Sequence, residues 1–361
     1  LSSTDGLPGT FNGYIRLDNV GTNLFASIGI GGSANELYMC TSGDTNFGKS
    51  WVAKTGSAHC GGQYWFGHDL AINPTDPKVI IMGGVSYFKY SSSSSTRSNG
   101  SITQITANIH ADVHDIKFAN DKIVYIANDG GIYKSIDGGS TWTNNNDGLS
   151  ATQFYASIAP SPIDPKIIIG GLQDNGVIKF NGTSWAEIAG GDGGPCSFHP
   201  TNGNIAIYSN DARAVYYSVN AGSSETQPLR NLGYGYTTAY DDRTSFMSPL
   251  AISKSNPSYT YVASDNLHIS TNGGSSYSRA VPSSMTRPIE LKNKTAIALA
   301  VSPINHKKVY VSTSPFAQAA DNSLIISGNP NVLLSTNADD NANYTFNSIK
   351  SNLPNRIVMH L

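Results

Sequence analysis

Residues 133–142 read Tyr-Lys-Ser-Ile-Asp-Gly-Gly-Ser-Thr-Trp. Six of them form a Ser-x-Asp-Gly-Gly-x-Thr-Trp pattern: Ser135, Asp137, Gly138, Gly139, Thr141 and Trp142. Asp followed by two glycines makes a tight turn, because Gly accepts positive φ at no steric cost. Trp142 supplies a large apolar ring beside it. The pattern predicts a structural turn between two strands, with Asp137 and Thr141 satisfying turn backbone groups.

Degenerate copies follow. Ser270-Thr-Asn272-Gly273-Gly274-Ser-Ser276-Tyr277 keeps the turn with Asn for Asp and Tyr for Trp. Ser218 to Ser224 is weaker, Asn181 to Trp185 is shortened, Asp44 to Trp51 carries an insertion, and Ser335-Thr-Asn337 opens an eroded copy. Before each copy stands an apolar stretch, a turn that usually contains proline, and a second apolar stretch. Leu70 to Met82 and Ile158 to Ile169 are the clearest examples. These units begin near 70, 116, 157, 196, 250 and 298. A period of roughly 40–50 residues with several short strands per unit is the mark of a β-propeller. The expected architecture is therefore all-β: one propeller over 1–361, of about seven four-stranded antiparallel blades. Six blades begin inside the chain. The seventh is expected to combine 11–65 with a lone strand at 355–361, unless that strand opens a further unit of a longer protein. Ring closure hides sheet edges. The serine-rich stretch from Ser91 reads as a surface loop.

Composition agrees. Only 13% of residues are charged, glycine numbers 36, and tyrosine (19) outnumbers phenylalanine (12). That suits short strands and many turns. A net charge of −2 with no basic run argues against a nucleic-acid partner. No apolar stretch has transmembrane length. The sparse charge and hydroxyl-rich surface point to an extracellular or cell-surface protein. Cys40 and Cys60 leave two readings open: a disulfide in a secreted protein, or isolated small apolar residues. Their spacing makes no zinc motif.

Two groups of polar residues are candidates for function. An acidic residue recurs after the second strand of four units, at Asp129, Asp174, Asp211 and Asp265. Each is an ordinary Asx turn-former, or together they are a partial ring of carboxylates for a cation, sugar hydroxyls or acid/base work. His110-Ala-Asp112-Val-His114 is the second group. If extended, it puts His110, Asp112 and His114 on one face, as ligands for a divalent metal or a substrate. The alternative is loop histidines bonded to backbone. His68 holds the matching position in the preceding unit and is expected on the same rim. Tyr64, Trp65 and Phe66 are either an aromatic platform for sugar rings or core.

The turn at 133–142, the Pro-Asp-Pro connections and the Asp-Gly-Gly loop resemble the Asp-box, or BNR-repeat, propellers. That group includes xyloglucanases, sortilin-type receptors, sialidases and a photosystem assembly factor. His110-Ala-Asp112, Thr152-Gln-Phe-Tyr155 and Gly171 to Gly176 are also similar to secreted Bacteroidetes repeat proteins, which implies a processed part of a larger secreted protein. The resemblance implies that the Asp boxes lie on one face of the disc and the strand-two loops on the other. Sialidase chemistry is disfavoured, since arginine is sparse and glutamate occurs only at 36, 187, 225 and 290. Xyloglucanase-like hydrolysis implies paired aspartates, with Asp129 and Asp174 the nearest matches. Asn128-Asp129-Gly130-Gly131 lacks one residue of that family's loop, and those enzymes build their cleft between two propellers. The leading expectation is a module that binds carbohydrate or a surface protein. A glycoside hydrolase and a structural unit of a larger adhesin or assembly are the alternatives.

Overall fold

The computed structural model describes residues 3–31, 35–40, 48–93, 100–149, 152–210, 214–230, 245–279, 291, 294–318, 324–326, 328–340 and 343–361. Among them are seven four-stranded antiparallel sheets. The chain divides into two compact units, Leu1–Ala151 and Thr152–Leu361.

The first unit holds three sheets. The first is β1 (Ile15–Val20), β2 (Asn23–Ile28), β3 (Leu37–Cys40) and β4 (Trp51–Lys54). The second is β5 (Asp69–Ile72), β6 (Val79–Gly83), β7 (Tyr87–Ser92) and β8 (Gly100–Gln104). The third is β9 (Val113–Phe118), β10 (Val124–Asn128), β11 (Gly131–Ser135) and β12 (Thr143–Asn144). β5 is buried along its whole length, whereas β10 and β11 alternate buried and half-buried positions, as a sheet with one covered face requires. Ala71, Ile81 and Tyr87 from the second sheet share one core with Val113, Ile116, Val124 and Ile126 from the third. Each valine or isoleucine side chain among them contributes about 1.5–3 kcal/mol on burial.

The second unit holds four sheets. The first is β13 (Phe154–Pro160), β14 (Ile167–Leu172), β15 (Val177–Asn181) and β16 (Trp185–Ala189). The next is β17 (Gly193–His199), β18 (Asn202–Asn210), β19 (Ala214–Ser218) and β20 (Thr226–Arg230). The third is β21 (Leu250–Ile252), β22 (Thr260–Ala263), β23 (Leu267–Ser270) and β24 (Ser278–Arg279). The last sheet pairs β25 (Ala296–Val301), β26 (Val309–Thr313), β29 (Asn331–Ser335) and β30 (Asn347–Ser348). A hairpin of β27 (Phe316–Gln318) and β28 (Leu324–Ile326) interrupts it.

The first strands lie within a few residues of the positions read from sequence. The ends differ. The first sheet takes all four strands from Ile15–Lys54, and residues 355–361 form no strand. There the Val358 carbonyl accepts a hydrogen bond from Ser312 Oγ at 2.5 Å. β1 and β2 are joined by a two-residue turn at Gly21 and Thr22, with Gly21 at φ +60 and Asn23 Nδ2 donating to Val20 O. This turn contains no proline, so the proline-marked unit start was absent from the sequence.

The box at 135–142 is a hydrogen-bonded turn. Asp137 Oδ1 accepts from Ser135 Oγ, Ser140 N and Thr141 N, and Oδ2 accepts from Thr141 Oγ1 at 2.6 Å. Ser135 Oγ accepts from Gly139 N, and Trp142 Nε1 donates to Gly139 O. The copies at 218–224 and 270–276 repeat this pattern around Asn220 and Asn272. At the eroded copy, Asn337 Oδ1 accepts from Thr345, eight residues on. The copy that includes Asp44 lies partly outside the described residues.

Neighbouring sheets are also tied along their first strands. Asp18 Oδ2 accepts from Ile72 N, Asp69 Oδ2 from Ile116 N, and Ser157 Oγ from Cys196 N. No disulfide joins the three cysteines, which are all buried; Cys40 Sγ accepts from Gly48 N.

Candidate functional site

In the first unit, one surface gathers aromatic and ionisable side chains. A short 3₁₀ turn at Gly61–Gln63 leads into Trp65 and Phe66, which are 62% and 46% exposed. Their rings lie 5.6 Å apart, and Phe66 meets the edge of His114 at 5.4 Å and 86°. His114, on β9, bonds through Nε2 to Asp129 Oδ1 at 2.5 Å. Asp129 sits in the β10–β11 turn, and Asn128 sets that turn. Asn128 Nδ2 donates to Tyr87 Oη and to His110 O, while Oδ1 accepts from Gly130 N. Tyr87 Oη donates to His110 O at 2.6 Å. Gly130 lies so close to His110 that a Cβ there would fall 2.4 Å from the His110 Cβ.

Asp112 completes the group. It is not in a strand and adopts φ +63, a left-handed conformation that Asp tolerates better than most residues. It is half-buried, and among the described residues its Oδ1 accepts no hydrogen bond. Burial, then the nearby Asp129 carboxylate, push its carboxyl above the usual range, against the pull of His110. Asp112 and Asp129 thus stand near one another, and Asp129 is bonded to the histidine whose ring meets Phe66.

The strand alternation expected over 110–114 fails, because β9 begins at Val113 and Asp112 breaks the extended conformation. His110 Nδ1 contacts Ala111 O, and His114 turns to Asp129. His110, Asp112 and His114 therefore do not converge as a ligand triad. Among the described residues, the group whose donor atoms do converge is His59, Cys60 and His68.

His68, expected on the rim, is fully buried, because its ring is drawn inward. Its Nδ1 lies 2.7 Å from Ser27 Oγ, its Nε2 lies 3.1 Å from Tyr14 O, and it stacks on Tyr14 at 4.3 Å. Ser27 Oγ also meets His59 Nε2 at 2.6 Å, and His59 Nδ1 meets Ser57 O at 2.7 Å. Glu36, 1% exposed, accepts from Cys60 N at 2.7 Å and lies 3.9 Å from His59 Nδ1. Burial lowers His59 to about 3 and His68 to about 4, and raises the Glu36 carboxyl and the Cys60 thiol. Sequence reasoning passed over this cluster because Ser27, Glu36 and His59 fall in different strands and loops. The pair His59-Cys60 with His68 nearby was its one legible sign.

The other acidic positions differ from Asp129. Asp174 belongs to the second unit, has φ +59, and its N–H donates to Asp192 Oδ1. Asp265 is fully buried beside Asn266, whose Oδ1 accepts from Tyr344 Oη. Asp211 lies outside the described residues. The expected pair of Asp129 and Asp174 is thus divided between the two units.

These sheets and turns define a class: an all-β chain of repeated four-stranded antiparallel sheets. No family model and no curated protein matches it. Solved structures are similar at low identity. An ancestral GH74 enzyme is 20% identical over 68% of this chain and 32% of its own, with a TM-score of 0.42. The GH74 xyloglucanase from Xanthomonas campestris is 12% identical over 92% of this chain and 53% of its own, with a TM-score of 0.36. PorZ, a surface component of the type-IX secretion system of Porphyromonas gingivalis, is 11% identical over 97% and 45%, with a TM-score of 0.43. The chain spans about a third to a half of the length of these proteins. No helix among the described residues is long and apolar enough to cross a membrane.

Proposed function

We propose that this chain is a seven-bladed β-propeller, outside the cell or on its surface, and that it binds carbohydrate through Trp65, Phe66, His114, Asp129 and Asp112. The observation that carries this reading is the exposed Trp65–Phe66 pair beside the His114–Asp129 bond. Aromatic faces take the apolar face of a sugar ring, while adjacent carboxylates and imidazoles take its hydroxyls. The low charge and glycine-rich turns support the surface setting. The expected outcome of a glycan array followed by calorimetry is binding that Trp65→Ala weakens tenfold or more. Binding that survives both Trp65→Ala and Asp129→Ala sinks the reading. The absence of any glycan ligand turns it towards a surface-protein partner or a structural unit of a larger assembly.

One observation favours hydrolysis as a second reading. Asp112 is held above its usual range, as a general acid requires, and the Asp129 carboxylate near it is bonded to His114. Asp129 and Asp174 remain the pair that the family resemblance proposes. Release of reducing sugar from array hits tests both. Loss in Asp112→Asn with activity kept in Asp174→Asn favours the first pair, the reverse favours the second, and no turnover removes hydrolysis.

A further inference from the structure

The buried cluster under the aromatic pair has more acceptors than donors. His59 Nδ1 and His68 Nε2 each face a backbone carbonyl, Ser57 O and Tyr14 O. A carbonyl only accepts, so both of these nitrogens carry hydrogen. In neutral rings the inner nitrogens, His59 Nε2 and His68 Nδ1, are then bare lone pairs. Both point at Ser27 Oγ, at 2.6 and 2.7 Å. One hydroxyl has one hydrogen and serves only one of them. The other contact sets a lone pair against a lone pair unless a cation stands there. A proton is one such cation, but both rings are fully buried, where an added charge is costly to hold.

We propose that His59 Nε2, His68 Nδ1 and Cys60 Sγ bind a divalent transition metal of zinc type, with Ser27 Oγ next to the fourth position. The three donor atoms lie within 4.8 Å of one another. Bond lengths of about 2.0–2.3 Å put tetrahedral donor–donor edges near 3.5 Å, so side-chain shifts of roughly 1 Å close the set. The carbonyls behind the rings fix the tautomers and aim the inner nitrogens, as outer partners do around bound zinc. Charge balances as well. A dication, the Cys60 thiolate and the buried Glu36 carboxylate sum to zero, and Glu36 lies 3.9 Å from His59 Nδ1. Cys60 would bind such a metal as the thiolate, releasing its proton.

The position gives the metal a task. Its ligands sit at the two ends of the 59–68 segment, which carries Trp65 and Phe66. Tyr14, stacked on His68, also donates to Phe66 O and accepts from His68 N. The metal would close this loop and hold the aromatic pair in place.

The test is the full chain produced in medium supplemented with Zn²⁺ and, separately, with Co²⁺. The expected result is about one metal per chain by mass spectrometry, and for Co²⁺ a thiolate-to-metal charge-transfer band with tetrahedral visible bands. Cys60→Ala should remove the charge-transfer band, His59→Ala should lower metal content at least tenfold, and His114→Ala should change neither. Wild-type protein without stoichiometric metal, or without the thiolate band in its Co²⁺ form, overturns the proposal whether or not the variants fold. So does a band that persists in Cys60→Ala.

Discussion

At Asp137, the same turn appears in two chemical versions within one chain. Asp137 Oδ2 accepts from Thr141 Oγ1, whereas Asn220 Nδ2 and Asn272 Nδ2 donate to Ser224 Oγ and Ser276 Oγ, each at 2.8 Å. The hydroxyl reverses its role, and the Oδ1 contacts to backbone N–H groups stay the same. Asp137→Asn should therefore leave stability at neutral pH within about 0.5 kcal/mol, while Asp137→Ala, which orphans several donors, should cost about 1 kcal/mol, as a lost cap does. Urea denaturation of the two variants checks this, and equal losses would count against the role reversal. The acid limb separates them further. The Thr141 hydroxyl and N–H, then Ser135 and Ser140, pull the Asp137 carboxyl down to about 2. A carboxyl lowered in the folded state contributes stability that is complete above its unfolded value near 4, and that is lost as pH falls towards 2. Asp137 is exposed, so the effect is screened and small. Thermal unfolding between pH 4 and 2 should fall more steeply in wild type than in Asp137→Asn. Parallel curves would mean that the carboxylate gains nothing from its partners.

Between elements, the box turns join one sheet to the sheet before it. A Cβ on Gly139 would stand 2.6 Å from Ile81 Cδ1 on β6, and one on Gly274 would stand 2.8 Å from Ile207 Cγ2 on β18. Gly222 meets Ile188 and Ile169 of the preceding sheet in the same way. Lys89 Nζ reaches over to Gly138 O, and Lys179 Nζ to Ser223 Oγ. The second glycine is thus required twice, for φ +85 at Gly139 and for the isoleucine against it. Gly139→Ala should cost about 2–4 kcal/mol, from left-handed backbone strain plus overpacking. Ile81→Val removes the obstructing methyl, so the double variant should recover about 0.5–1 kcal/mol relative to the sum of the single changes. Strict additivity in denaturant titrations would show that the contact does not exist. This is also where the sequence was most informative. Serine, Asp or Asn, and glycine at fixed offsets are local, so the sheets could be counted from them. β1 was missed because Gly21-Thr22 closes its hairpin without proline. The hairpin of β27 and β28 was missed because it breaks the unit between its second and third strands.

For the whole molecule, the site was only partly legible, because sequence spacing does not report which way a side chain turns. Trp65, Phe66 and His114 came together as an exposed group with the half-buried Asp129. His68 and Asp265 turned inward, and the groups that hold His68 come from Tyr14 and Ser27, more than forty residues away in sequence. The same long-range packing governs how the chain responds to damage. Among the described residues, every apolar core cluster draws its members from a single unit, with three in Leu1–Ala151 and three in Thr152–Leu361. Ile126 is fully buried in the cluster that spans the second and third sheets. Ile126→Ala should cost about 2–5 kcal/mol through lost burial and the cavity left behind. Because that core is shared, β6 on the second sheet should lose protection together with β10, although the change lies only in β10. The clusters around Tyr208 and Tyr261 contain no residue of that core, so β18 and β22 should keep wild-type protection. Hydrogen exchange read peptide by peptide decides the matter. Faster exchange confined to β9–β12 would show that the second and third sheets do not share their core energetically. Equal acceleration in β18 and β22 would show that the chain opens as one cooperative body despite its separate cores.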